Sequence, residues 1–234
     1  MKKFVDLHIV NPSNVEDVFR FLSLLGYGMV GLTLNQKPEK IWENWKKLGE
    51  KFGVDVVSRI NLKPSSTREL LGWLGNLRRK FELIAVTCES KPVLNVAARD
   101  HRVDLLNLTP LNLRLFDEAT AGLAPNSNVA LEISLNPIVK MERKMFPKIF
   151  FYVRRCLNLT KKYGIPIVVS SGASNILEVK PPRDLAAFIQ IFGLDKEAAL
   201  KTVSEIPRKI VERNREKLSK DFVGVGVRIV KIGG

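Results

Sequence analysis

The chain has 234 residues, 45% hydrophobic and 26% charged, which suits one sizeable water-soluble core. Lys and Arg total 38 against 24 Asp and Glu, giving a net charge of +14, and the pI is near 9.9. That surplus repels itself unless a polyanion is bound, and its spread over several elements favours nucleic acid over a membrane surface, which would gather it on one basic amphipathic helix; the bland alternative is a solvated basic surface.

No window approaches the roughly 20 uninterrupted apolar residues of a membrane span. Asp6 interrupts the first apolar run too early for a secretory signal, so a cytoplasmic location is expected. Two cysteines, Cys88 and Cys156, lack metal-ligand spacing and read as reduced, at least half-buried thiols.

In chain order, Phe4–Ile9 reads as a strand and Asn14–Leu25 as a helix capped by Ser13 or Asn14. Met29–Leu34 is the next strand, followed by a helix over Pro38–Phe52 whose proline suits a first turn. Strand Val54–Leu62 precedes a helix over Ser65–Lys80, where Ser66 and Glu69 have capping-box spacing. Phe81–Cys88, Val103–Thr109 and Asn128–Ser134 are further strands. The longest helix, Glu142–Tyr163, is expected to break near Pro147 and ends at Gly164, directly before strand Ile165–Ser170. Pro181–Phe192, Asp195–Val203 and Ile206–Leu218 read as successive helices, and Phe222–Ile232 as a strand-like tail. Continuous apolar runs such as Ile165-Pro166-Ile167-Val168-Val169 suit strands covered on both faces. Seven such units without a reversal point predict an α/β fold: a distorted or incomplete (β/α) TIM-like barrel with extra C-terminal helices, as a single domain over residues 1–234.

Catalytic groups on such a barrel belong just after the strands. Asp6 and His8 are spaced to share one face of the first strand, a pattern with which metal-dependent barrel hydrolases often begin. The only other histidine is His101, and no other strand end carries a histidine or a carboxylate pair. Three readings stand: polar residues packed in the barrel mouth, the vestige of a metal site, or the working site of a free-standing metal-dependent phosphoesterase. The expected catalytic and metal residues are none. Ser170-Ser171-Gly172-Ala173-Ser174-Asn175 could cradle a phosphate or cap a short helix.

Basic residues are more informative. Lys140 to Lys162 holds eight Lys or Arg and one acid, so Lys144, Lys148, Arg154 and Arg155 are candidate phosphate contacts. Arg78-Arg79-Lys80 closes a helix and fits its dipole, and the mixed-sign Lys201–Lys220 stretch reads as a solvated face. Trp42, Trp45 and Trp73 read as core or interface.

Four segments in fixed order, Val103-Asp104-Leu105-Leu106-Asn107-Leu108-Thr109-Pro110, Asn128-Val129-Ala130-Leu131-Glu132-Ile133-Ser134, Ile167-Val168-Val169-Ser170-Ser171-Gly172-Ala173 and Lys180-Pro181-Pro182-Arg183-Asp184-Leu185, carry a resemblance. Across roughly residues 80–192 the chain resembles the archaeal ribonuclease P protein component 3 family, relatives of the thirty-kilodalton eukaryotic subunit. The resemblance implies a barrel related to polymerase-and-histidinol-phosphatase hydrolases that has lost the metal ligands. It implies an RNA-binding subunit that supports removal of 5′ leaders from precursor tRNA, catalysed by the RNA subunit with Mg²⁺, and no cofactor in this chain. The implied partners are ribonuclease P RNA, precursor tRNA through the holoenzyme, component 2 and other protein subunits. Lys180 and Arg183 match the basic positions of the family's Arg-x-Pro-Arg-Asp-Leu motif, on loops expected at the carboxyl end of the barrel. Arg114 matches the arginine of a shortened loop after the fifth strand, and Arg99 lies near a basic position after the fourth.

Overall fold

The computed structural model describes residues 3–10, 14–33, 39–219, 222–224 and 227–228. The chain alternates β1 (Phe4–Val10), α1 (Val15–Leu24), β2 (Tyr27–Thr33), α2 (Glu39–Lys51), β3 (Asp55–Leu62), α3 (Thr67–Leu77), β4 (Leu83–Thr87) and α4 (Lys91–Arg99). It continues with β5 (Leu105–Asn107), α5 (Glu118–Leu123), β6 (Ala130–Ser134), α6 (Leu135–Val139), α7 (Phe146–Tyr163) and β7 (Ile167–Ser170). Helices α8 (Pro182–Gln190), α9 (Lys196–Lys201) and α10 (Glu205–Leu218) follow, then a short antiparallel pair, β8 (Phe222–Gly224) and β9 (Val227–Arg228).

The seven strands β1 to β7 are parallel and ordered as in the sequence. The sheet curls until its edges almost meet. Near the strand ends, the Val10 N–H donates to the Ala173 carbonyl (2.7 Å), bridging β1 to the residues after β7. Towards the strand starts, the turn after α9 fills the seam: Val5 N–H donates to the Val203 carbonyl (2.8 Å) and Val169 N–H to that of Thr202 (3.2 Å). Thr202 and Val203 thus stand where an eighth strand would pair, so a seven-stranded sheet closes without orphaned edge amides there.

Alternate residues of the strands face inwards, and Val5, Leu7, Met29, Val57, Leu83, Ala85, Leu105, Ala130 and Val168 fill the lumen. Helix α10 closes the end at the strand starts with Ile210 and Val211, held by Arg215 on Asp55 (2.6 Å) and Glu82 (2.7 Å) and by Asn214 on the Glu82 carbonyl (2.9 Å). The outward strand residues pack under the helices; Trp42 meets Trp45 and Phe81 edge-on there, and Trp73 lies against the main core. Cys88 and Cys156 are buried free thiols, each pushed up to about 12 by that burial.

Local chemistry sets the element ends. The Asn14 side chain accepts the Asp17 N–H (3.3 Å), and Ser66 Oγ accepts that of Glu69 (3.2 Å). The expected box is displaced by one residue, because the Glu69 carboxylate takes the Ser65 N–H (2.7 Å). Gly164 ends α7 at φ 67°, in the left-handed region. Pro147 does not break the long helix but stands in the first turn of α7, after a 3-10 turn at Arg143–Met145. Helices α4, α5 and α6 were not expected; at nine, six and five residues they are too short for clear periodicity. Strand β5 is three residues, shorter than Val103–Thr109, because the Thr109 carbonyl starts a turn by accepting the N–H groups of Asn112 and Leu113. Where it is described, the tail is the antiparallel pair β8 and β9; Ser13, Leu34, Pro38, residues 225–226 and residues 229–232 lie outside the described residues.

Candidate nucleic-acid interface

The barrel mouth decides whether the chain carries chemistry of its own. Between Asp6 and Ile9, β1 sets three residue steps against two on β2, which is a β-bulge. Gly31 makes room for it: a Cβ there would lie 2.3 Å from the Leu7 carbonyl oxygen. The extra residue breaks the period-two alternation and corrects the expectation that Asp6 and His8 share a face. The Asp6 carboxylate sits in the seam, accepting the N–H groups of His8 (3.1 Å) and Ser171 (3.2 Å). His8 turns into the mouth, with Nδ1 3.0 Å from Ser134 Oγ and Nε2 3.0 Å from Asn61 Nδ2. Burial pushes Asp6 up to about 6, and burial together with the nearby Arg59 charge pushes His8 down to about 3.

Beneath His8 lies a fully buried ion pair. Arg59 binds both oxygens of Glu132, Nη1 to Oε1 at 2.6 Å and Nη2 to Oε2 at 2.5 Å. It also donates to the Leu7 carbonyl (2.7 Å) and, through Nε, to Asn61 Oδ1 (2.7 Å). Because a guanidinium only donates, Asn61 must turn its NH₂ towards His8 Nε2, which places the imidazole proton on Nδ1. Asn107 Nδ2 (2.6 Å) and Ser170 Oγ (2.7 Å) also donate to Glu132. Burial works to raise the Glu132 carboxyl, but Arg59, His8 and these hydrogen bonds outweigh it and hold the group well below the usual range.

This donor set does not fit a metal ion. Glu132 already carries a permanent organic cation, His8 has both ring nitrogens engaged and Asp6 is tied to backbone N–H groups. Among the described residues, no group of three or more His, Cys, Asp or Glu side chains is placed to hold a metal. The Ser170–Asn175 loop resolves towards capping. Its amides at Ser171 and Ser174 bond Asp6 and Glu178, Ala173 N–H bonds Ser171 Oγ, and Asn175 caps the 3-10 turn Ile176–Glu178.

The basic residues fall on several faces. Lys144, Lys148 and Arg154 are exposed along the α7 side; Lys144 pairs with Glu142 (2.6 Å), and Lys148 lies 6.0 Å from the Tyr152 ring centroid. Arg155 is different: Nη2 donates to the carbonyls of Leu113, Arg114 and Phe116, and the guanidinium lies over the Tyr152 ring. It ties α7 to the turn after β5. Arg114 projects from that turn, and Arg99 is exposed in the last turn of α4. Lys180 and Arg183 do not sit at the carboxyl-end mouth. The chain after β7 runs back to the strand starts, where the Tyr27 hydroxyl donates to the Lys180 carbonyl (2.7 Å) and Arg183 borders a hollow beside Phe4.

Lys3 and Lys196 border the same hollow, and neither was singled out from sequence because isolated lysines give no signal. Arg59 and Glu132 were also passed over, although a charge inside Val56-Val57-Ser58-Arg59-Ile60 or Ala130-Leu131-Glu132-Ile133 is a readable sign of a buried pair. Arg78 donates to Asp104 (2.5 Å) and to three carbonyls, a framework role more extensive than helix-end compensation.

The family model described as RNase P subunit p30 matches residues 3–219. A relative named ribonuclease P protein component 3 from Methanosarcina mazei is 26% identical over 218 residues, 93% of this chain and 90% of the relative. Its namesake from Methanococcoides burtonii is 27% identical over 234 residues, 97% of this chain and 94% of the relative. Among solved structures, a chain of the cryo-EM structure of archaeal ribonuclease P with mature tRNA superposes with a TM-score of 0.86 at 24% identity, covering 97% of this chain and 98% of that one. The matched span runs from before β1 to the end of α10 and takes in every strand of the barrel, and the chain belongs to the RNase P subunit p30 family.

Proposed function

We propose that this chain is protein component 3 of ribonuclease P, an RNA-binding subunit that supports RNA-catalysed removal of 5′ leaders from precursor tRNA. The observation that carries the reading is the family match over residues 3–219, shared with relatives that bear this name. Phosphodiester hydrolysis is left to the RNA and its Mg²⁺; this chain contributes surface cations and no catalytic residue. The internal saturation of the barrel mouth supports that division, since Arg59, Glu132 and His8 already have partners.

Lys144, Lys148, Arg154, Arg114, Arg99, Lys180 and Arg183 supply phosphate contacts, while Arg155 holds the turn that presents Arg114. Their spread over several faces suits a protein wedged among RNA segments and neighbours such as component 2. No helix among the described residues is long and apolar enough to cross a membrane. Reconstitution tests the reading: ribonuclease P RNA and component 2 are assayed on precursor tRNA with and without this chain. Cleavage should rise on its addition, and an unchanged rate overturns the proposal.

A further inference from the structure

Helix α7 carries no Asp or Glu from Phe146 to Tyr163, and its second half forms one wall of a cleft. The facing wall is the α8–α9 connection, and Leu157, Ile167, Phe192, Leu194 and Ile206 give it an apolar lining. Arg154, Lys161 and Lys201 stand around it, with the exposed Asn158 between the first two. Gly164 and Gly193 line the cleft at positive φ, and a Cβ on either would meet no atom within 4 Å.

The electrostatics are one-sided. Arg154 and Lys161 are exposed and have no hydrogen-bond or ion-pair partner among the described residues. Lys201 pairs with Glu197 (2.7 Å) where both are solvated, so the pair is screened and weak. The one acid in the lining, Asp195, caps α9 by accepting the Ala198 N–H (2.8 Å). An apolar protein side chain would satisfy the lining but gives no reason for the cations. A nucleotide satisfies both, because its base has an apolar face and its flanking phosphates are anionic.

We propose that this cleft binds one unpaired nucleotide of an RNA strand. The base lies against Leu157, Phe192 and Leu194, Asn158 meets its edge, and Arg154 and Lys161 take the phosphates on either side. Seven residues apart on α7, they are separated by about 10 Å along the axis, within reach of two long side chains from either side of one nucleotide. The inference rests on the RNA-binding reading above and gives it a defined site.

The full chain is titrated with a single-stranded RNA whose central nucleotide is either intact or abasic, across a salt series. The wild type should prefer the intact strand by about fivefold, the lower end for a base against an aromatic, because Phe192 is the one aromatic among the described residues of the lining and is largely buried. Ala198→Phe, which fills the cleft, should abolish the preference and leave the salt slope unchanged. Arg154→Ala with Lys161→Ala should weaken binding of both strands and flatten the log–log slope by about 1.4, at 0.7 per phosphate. Ala198→Met, a less bulky non-aromatic filler at the same lining position, replaces Ala198→Phe if thermal melting shows the latter misfolded. Equal affinity of the wild type for the two strands, no binding of either, or a preference that survives cleft filling overturns the proposal. Wild-type binding to ribonuclease P RNA is measured in parallel: its loss refutes the parent reading, whereas its presence without a base preference refutes the cleft alone and leaves it to a protein side chain.

Discussion

Arg59→Met should be among the most damaging single substitutions in this chain. The guanidinium is fully buried and makes four hydrogen bonds, two of them to the fully buried Glu132. Removing it leaves a carboxylate without its cation in the barrel interior, a situation that costs about 3–5 kcal/mol. A domain's whole stability is about 5–15 kcal/mol, so the variant should lie near its unfolding threshold. Adding Glu132→Gln removes the charge, keeps an acceptor oxygen for Asn107 and turns an NH₂ towards Ser170 Oγ, which can accept it, and should recover about 2 kcal/mol of the loss. Urea unfolding at neutral pH, followed by fluorescence of Trp42, Trp45 and Trp73, measures both variants. In the single variant the Arg59 charge and hydrogen bonds, which do most to hold the Glu132 carboxyl down, are gone while its burial remains, so the deficit against the wild type should shrink as the pH falls. An Arg59→Met protein within about 1 kcal/mol of the wild type, or a double variant no better than the single, would refute the argument that the ion pair organises the mouth.

Burial holds His8 at about 3 against an ordinary 6.5, so the unfolded chain binds a proton that the folded one refuses, and this contribution to stability is lost as pH falls from about 6.5 towards 3. Asp6, raised to about 6, acts in the opposite sense between its ordinary value and 6, so a His8→Gln variant should lose less stability on acidification than the wild type; parallel acid titrations of unfolding would show it. Gly31→Ala should destabilise the fold by about 3 kcal/mol or more, since the new Cβ meets the Leu7 backbone and not a movable side chain; an unchanged melting temperature would count against the bulge's need for Gly31. Lys180→Ala with Arg183→Ala should leave thermal stability nearly unchanged and flatten the salt dependence of RNA binding by about 1.4–1.8; an unchanged slope removes both residues from the RNA contacts.

What the sequence determined by itself were the features that depend on near neighbours. Apolar runs announced strands buried on both faces, Asn14, Ser66 and Gly164 marked helix ends, and the strand–helix rhythm implied a parallel barrel. Four ordered segments carried the family resemblance that the match over residues 3–219 sustains. What only the tertiary structure decided depends on residues far apart in the chain. Arg59 meets Glu132 across 73 positions because the curled sheet turns β3 and β6 towards one lumen, and neither residue's neighbours encode that meeting. Thr202 and Val203 close the seam because the lumen plug α10 draws the turn before it between β1 and β7. Asp6 and His8 part company because a bulge fits against Gly31 on the adjacent strand, which shifts side-chain alternation by one. Local propensity acts over the few residues of a turn, whereas the partner of a buried charge or amide is set by the element that closure of the barrel brings to it.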